Sequence, residues 1–191
     1  AGRDLRSGDH GVSCGSGCGW LVMFPAREVK RAEKVVADFR AKGLTLTVAE
    51  SCTGGLLAGM ITEVPGVSDV FQRGFVTYAN SAKTDMIGVP AALFDKFGAV
   101  SDQVAQAMAA GALAAAHADL AAAVTGIAGP AGETDKPVGR VHIAIARSDM
   151  PPTSTQFDFG DIGRSRVRLQ TVASALQMIQ QALSEIPPTD V

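Results

Sequence analysis

An α/β sandwich is the fold class this sequence predicts, and three observations carry that expectation. Short apolar or β-branched runs alternate with stretches of helical period. Gly and Pro punctuate the chain where one kind of run gives way to the next. Hydrophobic residues make up 47% and charged residues 19% of 191 positions, which suits one core of ordinary domain size rather than two domains or a disordered chain.

Residues 1–22 are rich in Gly and Ser and show neither period, so they read as a tail, disordered or non-native. The expected domain is 23–187, with Met23 as its functional start and a short tail at 188–191. The first segment has no sustained apolar run followed by a small-residue cleavage site, so a secretory signal is not expected and a cytoplasmic location is. Pro25 suits a first helical turn, and Val29, Ala32, Val35, Val36 and Phe39 recur at helical spacing until Gly43 stops them. Residues 44–50, LTLTVAE, alternate apolar and Thr positions as a strand does. SCTGG follows, and then Leu56, Leu57, Met60 and Ile61 form an apolar stripe that ends at Pro65 and Gly66. The unit is therefore strand, tight turn, helix.

A second strand is expected over 71–78, short helical segments over 80–87 and 90–97, and a longer helix after Ser101, whose hydroxyl suits an N-cap with Asp102 at the positive end. Residues 120–125 read as a short buried strand. The turn-rich loop GIAGPAGETDKP separates it from a strand over 138–146. A last strand near 155–159 precedes a long helix over about 165–184. The Ala-rich face of the helix after Asp102 suits either a homodimer contact or burial in the core.

Composition removes several functions. Lys and Arg number 17 against 19 Asp and Glu, so no broad cationic field exists for nucleic acid or an anionic membrane surface. No apolar run approaches the roughly 20 residues that span a bilayer. Cys14 and Cys18 lack a matching second pair of ligands, and no metal site is expected.

The chemistry is expected beyond the strand ends, where loops and helix starts expose backbone N–H groups. Two loops fit. Residues 50–55, ESCTGG, put the Ser51 hydroxyl and the amides around Thr53, Gly54 and Gly55 at a helix start, a place that suits a nucleophile or a phosphate. Residues 125–130, TGIAGP, offer Thr125 and Gly126 as candidate oxyanion donors. Either motif alone is equally readable as capping and turn structure, and neither is a Walker or GxGxxG sequence.

A serine nucleophile needs a base. Of three histidines, His10 lies in the tail, His117 closes the Ala-rich helix and His142 sits mid-strand, which disfavours a His-based triad. Lys83 is the alternative if burial lowers its pKa, and Tyr78, five residues earlier, lies near enough to share its pocket. The plain readings are a buried tyrosine ring and a solvated lysine. Cys52 is a rival nucleophile, since a thiol at a helix start can ionise readily.

Together, TVAESCTGGLLAGMIT, VFQRGFVTYANSAKTDMIGV, GAVSDQVAQAMAAGA and VTGIAGPAGETDKPVGRVHIAIA resemble the CinA C-terminal domain family, the nicotinamide-nucleotide amidohydrolases, over about residues 30–185. The resemblance implies a three-layer α/β/α sandwich with a mixed central sheet. It implies hydrolysis of nicotinamide mononucleotide to nicotinate mononucleotide and ammonia in pyridine-nucleotide salvage, with a small-molecule nucleotide substrate and no cofactor or metal. The resemblance is to the stand-alone form, without the larger N-terminal domain that some relatives carry. The family's serine falls on Ser51, its tyrosine on Tyr78 and its lysine on Lys83. The implied mechanism is attack by Ser51 with Lys83 taking the proton directly or through Tyr78, while the helix start after Ser51 stabilises the oxyanion. The substrate phosphate is assigned to Thr53, Gly54 or the arginines of GDIGRSRVRLQ, Arg164 and Arg168, with Arg168 favoured because a guanidinium binds two oxygens at once. The alternative is a non-catalytic nucleotide-binding or competence/damage-associated module on the same fold.

Overall fold

A computed structural model describes residues 23–130 and 135–187. The expected tails at 1–22 and 188–191, Cys14 and Cys18 among them, lie outside the described residues, as does part of the loop after residue 130.

Helix α1 (Ala26–Lys42) buries the stripe Ala32, Val35, Val36 and Phe39. It closes at Gly43, where the Leu44 amide reaches back to the Phe39 carbonyl at 3.1 Å, the bond pattern of a left-handed helix end. Then follow β1 (Leu46–Glu50), α2 (Leu56–Thr62), a single 3₁₀ turn at Val67–Asp69, β2 (Phe71–Val76), α3 (Asn80–Ile87), α4 (Ala91–Phe97), α5 (Asp102–Ala116), β3 (Leu120–Gly126), β4 (Arg140–Arg147), β5 (Met150–Asp158) and α6 (Arg164–Ser184). Ser101 caps α5 by accepting from the Val104 amide.

The five strands make one mixed sheet in the order β2-β1-β3-β4-β5. β2, β1 and β3 run parallel, while β4 and β5 are antiparallel additions. Helices cover both faces, so the architecture is the three-layer α/β/α sandwich expected. The period of two along each strand sorts side chains by size. Leu46, Val48, Leu120, Val124, Val141, Ile143 and Ile145 pack with α1, α2 and α6. Ala49, Ala121, Ala123, Ala144 and Ala146 face the other way, with Val104, Ala105, Met108, Ala109 and Ala112 of α5. The Ala-rich face of α5 is therefore buried against the sheet.

Among the element boundaries that differ from expectation, three have a local reason. β1 starts at Leu46, because the Thr45 amide and hydroxyl turn aside to Asp119 Oδ2, each at 2.7 Å. β2 stops at Val76, because the carbonyls of Thr77 and Tyr78 accept from Lys83. β5 begins at Met150 rather than 155, running through Pro151 and Pro152. A sheet edge tolerates prolines because their missing N–H need not pair.

Candidate active site

Parallel strands β1, β2 and β3 end at Glu50, Val76 and Gly126, on one rim of the sheet. Ser51 is the first residue beyond β1. Strand alternation sends Glu50 toward α2 and Ser51 toward the opposite face, where Lys83 of α3 lies buried at 1% exposure. The Lys83 amine stands 3.2 Å from Ser51 Oγ and donates to the carbonyls of Thr77 at 2.9 Å and Tyr78 at 3.2 Å. No carboxylate pairs with it among the described residues. Burial holds its pKa below the ordinary value, since an ammonium loses hydration there.

Glu50 is the residue that sequence reasoning missed. It is fully buried, and its two carboxylate oxygens accept from the amides of Gly55 and Leu57, both at 3.0 Å, and of Ala58 at 2.8 Å. The positive end of α2 is thus filled by the chain itself. This corrects the expectation that those amides await an oxyanion or a phosphate. The Gly54 amide is likewise taken by the Ser51 carbonyl and the Ser51 amide by Val124. Within the turn, the amides of Cys52 and Thr53 are the ones that donate to no described backbone carbonyl. Gly55 enters α2 at φ +94°, a left-handed conformation that the turn requires and a side chain would strain. An acidic residue in strand period ahead of a Gly-rich turn was the available signal for Glu50.

The remaining candidates separate into two groups. Tyr78 is 61% exposed, and its hydroxyl accepts from Arg164 Nη2 at 3.1 Å, while Arg164 Nη1 donates to the Gly129 carbonyl at 2.8 Å. Tyr78 meets Lys83 through its backbone carbonyl, so the relay through the phenol has no bond to run along in this arrangement, whereas the direct route does. Arg168 donates from Nη2 to the Thr53 carbonyl at 2.6 Å, beside Gly54. Its Nε and Thr53 Oγ1 are both buried without a partner among the described residues, two unmet polar atoms bordering the turn that carries Ser51. The structure thus brings Ser51, Thr53, Gly54, Tyr78, Lys83, Arg164 and Arg168 to one rim.

Thr125 and Gly126 sit at that rim but serve the framework. Thr125 donates its hydroxyl to the Ala99 carbonyl at 2.8 Å. A Cβ on Gly126 would stand 2.6 Å from Val141 Cγ2 and 2.8 Å from the Arg140 carbonyl, so glycine is needed there for β3 to approach β4. His142 is buried and its Nδ1 lies 2.9 Å from Asp102 Oδ1, which also accepts from Ser154 Oγ; neither links to Ser51. His117 ends α5 at φ +53°. The Cys52 thiol is buried in the core, and that burial pushes its pKa up to about 12, the wrong direction for a nucleophile. Among the described residues no three His, Cys, Asp or Glu side chains cluster as metal ligands, and no helix is long and apolar enough to cross a membrane.

Comparison with known proteins places these residues in context. The model of the CinA C-terminal domain matches residues 28–183. The crystal structure of competence/damage inducible protein CihA from Agrobacterium tumefaciens superposes with a TM-score of 0.82 at 48% identity, covering 86% of this chain and all of that one. A CinA superfamily protein from Escherichia coli gives 0.78 at 30% identity, covering 85% of this chain and 95% of its own. A CinA-like protein of Geotalea uraniireducens is 45% identical over 168 residues, 87% of this chain and 40% of that relative. One from Geobacter sulfurreducens is 52% identical over 147 residues, 76% of this chain and 35% of its own length. The chain therefore spans about 40% or less of the length of these curated relatives.

Proposed function

This chain belongs to the CinA C-terminal domain family, and from that premise and the site's geometry we propose that it is an amidohydrolase converting nicotinamide mononucleotide to nicotinate mononucleotide and ammonia. The observation that carries the reading is the buried Lys83 amine 3.2 Å from the Ser51 hydroxyl. A neutral amine has two hydrogens and one lone pair. With the hydrogens directed at the Thr77 and Tyr78 carbonyls, the lone pair faces Ser51 Oγ–H.

Ser51 Oγ then bonds to the carboxamide carbon as its proton passes to Lys83. The oxyanion is met by the turn amides of Cys52 and Thr53, donors of a kind whose loss typically costs about 10²- to 10³-fold in rate. Collapse breaks the C–N bond, and the leaving nitrogen takes the proton from Lys83 as ammonia. A water gives its proton to the same amine and cleaves the ester, releasing the carboxylate and restoring Ser51. Arg168 and Arg164 offer charge-assisted bonds to the substrate phosphate, and Tyr78 orients Arg164.

The relatives' names speak of competence and damage rather than of a reaction, which favours as second reading a module that binds a nucleotide without turning it over. Ammonia release from nicotinamide mononucleotide separates the two. Turnover is expected in the wild type and in Cys52→Ala, and its loss in Ser51→Ala and Lys83→Ala. Binding without ammonia in the wild type would leave only the module.

A further inference from the structure

On the far side of α6 from Ser51 lies a cavity of about 370 Å³ between the first turns of α1 and the first half of α6. That volume is within the roughly 300–1,000 Å³ of small-molecule sites. At about 100° per residue, Arg166 lies some 200° around the helix from both Arg164 and Arg168. It points into the cavity while its neighbours serve the rim already described. Three guanidiniums, Arg27, Arg31 and Arg166, share the lining with one carboxylate, Glu28.

Their commitments differ. Arg31 donates to the Ala173 carbonyl at 3.2 Å and so ties α1 to α6 across the groove. Arg27 and Arg166 have no ion-pair or hydrogen-bond partner among the described residues. Glu28 Oε2 is buried and pairs with the guanidinium of its neighbour Arg31, whose Nη1 lies at 3.8 Å. That pairing leaves Arg27 and Arg166 as the uncommitted cations of the lining among the described residues. Met60, fully buried, supplies an apolar floor.

We propose that this cavity is a second ligand site, taking a small phosphate monoester. Arg27 and Arg166 bind the phosphoryl oxygens, whose charge at neutral pH is about −1.5 to −2. None of the residues assigned to amide hydrolysis lines this cavity, so the site stands or falls independently of that reading.

The test is calorimetric titration of the whole chain with ribose 5-phosphate, made in an Arg164→Ala/Arg168→Ala background that removes the cations of the other rim. Thermal melts check each protein, and the uncharged Arg168→Gln replaces Arg168→Ala should the latter not fold. Binding is expected in that background. It should weaken at least tenfold when Arg27→Ala and Arg166→Ala are added. Absence of binding in the background, or a loss smaller than tenfold without Arg27 and Arg166, overturns the proposal.

Discussion

Lys83 spends two of its contacts on the carbonyls of Thr77 and Tyr78, and this leaves only one direction in which its amine meets Ser51. The proposed chemistry needs that amine neutral. Replacement by arginine keeps the positive charge but substitutes a group that stays protonated at any working pH. Lys83→Arg is therefore expected to release no ammonia, where a purely electrostatic role would leave much of the rate. The pH dependence follows from the same burial. Lys83 titrates below its ordinary 10.5 in the folded chain, so turnover rises with pH through that lowered value and levels off above it. Stability runs in the same sense. As pH falls from 10.5 toward the folded value, the unfolded chain takes up a proton that the folded chain resists, and the fold loses free energy over that window. A rate profile whose rising limb sits at or above 10.5 would contradict the assignment. Serine, lysine and tyrosine were legible as residue types; that Tyr78 offers Lys83 its carbonyl rather than its phenol was not, because a strand's departure from its ladder leaves no mark on composition.

At the scale of elements, the join between β1 and α2 is held by Glu50. One carboxylate spans from the strand's last residue to the amides of Gly55, Leu57 and Ala58, closing the turn that presents Ser51. Glu50→Gln keeps the shape but turns an NH₂ group toward at least one of those N–H donors. We expect it to cost about 1–3 kcal/mol of stability, the usual range for a buried polar group left unpaired, and to lower turnover at least tenfold. Chemical denaturation and the ammonia assay check the two parts. Full stability with full activity would remove Glu50 from the account. The strand, turn and helix were all readable from period and Gly placement. The occupant of the helix's positive end was not, since hydrogen-bond donors at a helix start take whichever acceptor the fold brings near, and here that acceptor arrives from the preceding strand.

Across the whole molecule, the sheet is unequal on its two sides, with branched side chains toward α1, α2 and α6 and alanines toward α5. Small side chains on both partners let α5 lie close to the sheet. Ala109→Leu inserts bulk into that contact and should destabilise by about 1–3 kcal/mol, whereas Ala114→Leu on the exposed side of the same helix should change stability by no more than about 0.5 kcal/mol. Denaturant midpoints with unchanged slopes decide this. Equal effects at the two positions would mean that α5 does not pack as described. By itself the sequence determined the order of helices and strands, the alternation that gives each strand two faces, and the set of hydroxyl, amine and guanidinium groups available for chemistry, because all of these depend on neighbours within a few residues. Only the tertiary structure decided that Ser51 meets Lys83 across 32 positions, that Arg164 reaches Tyr78 across 86, and that Thr125 is spent on Ala99. Such partners are chosen by distance in space, and strand pairing and helix packing set that distance between segments remote along the chain.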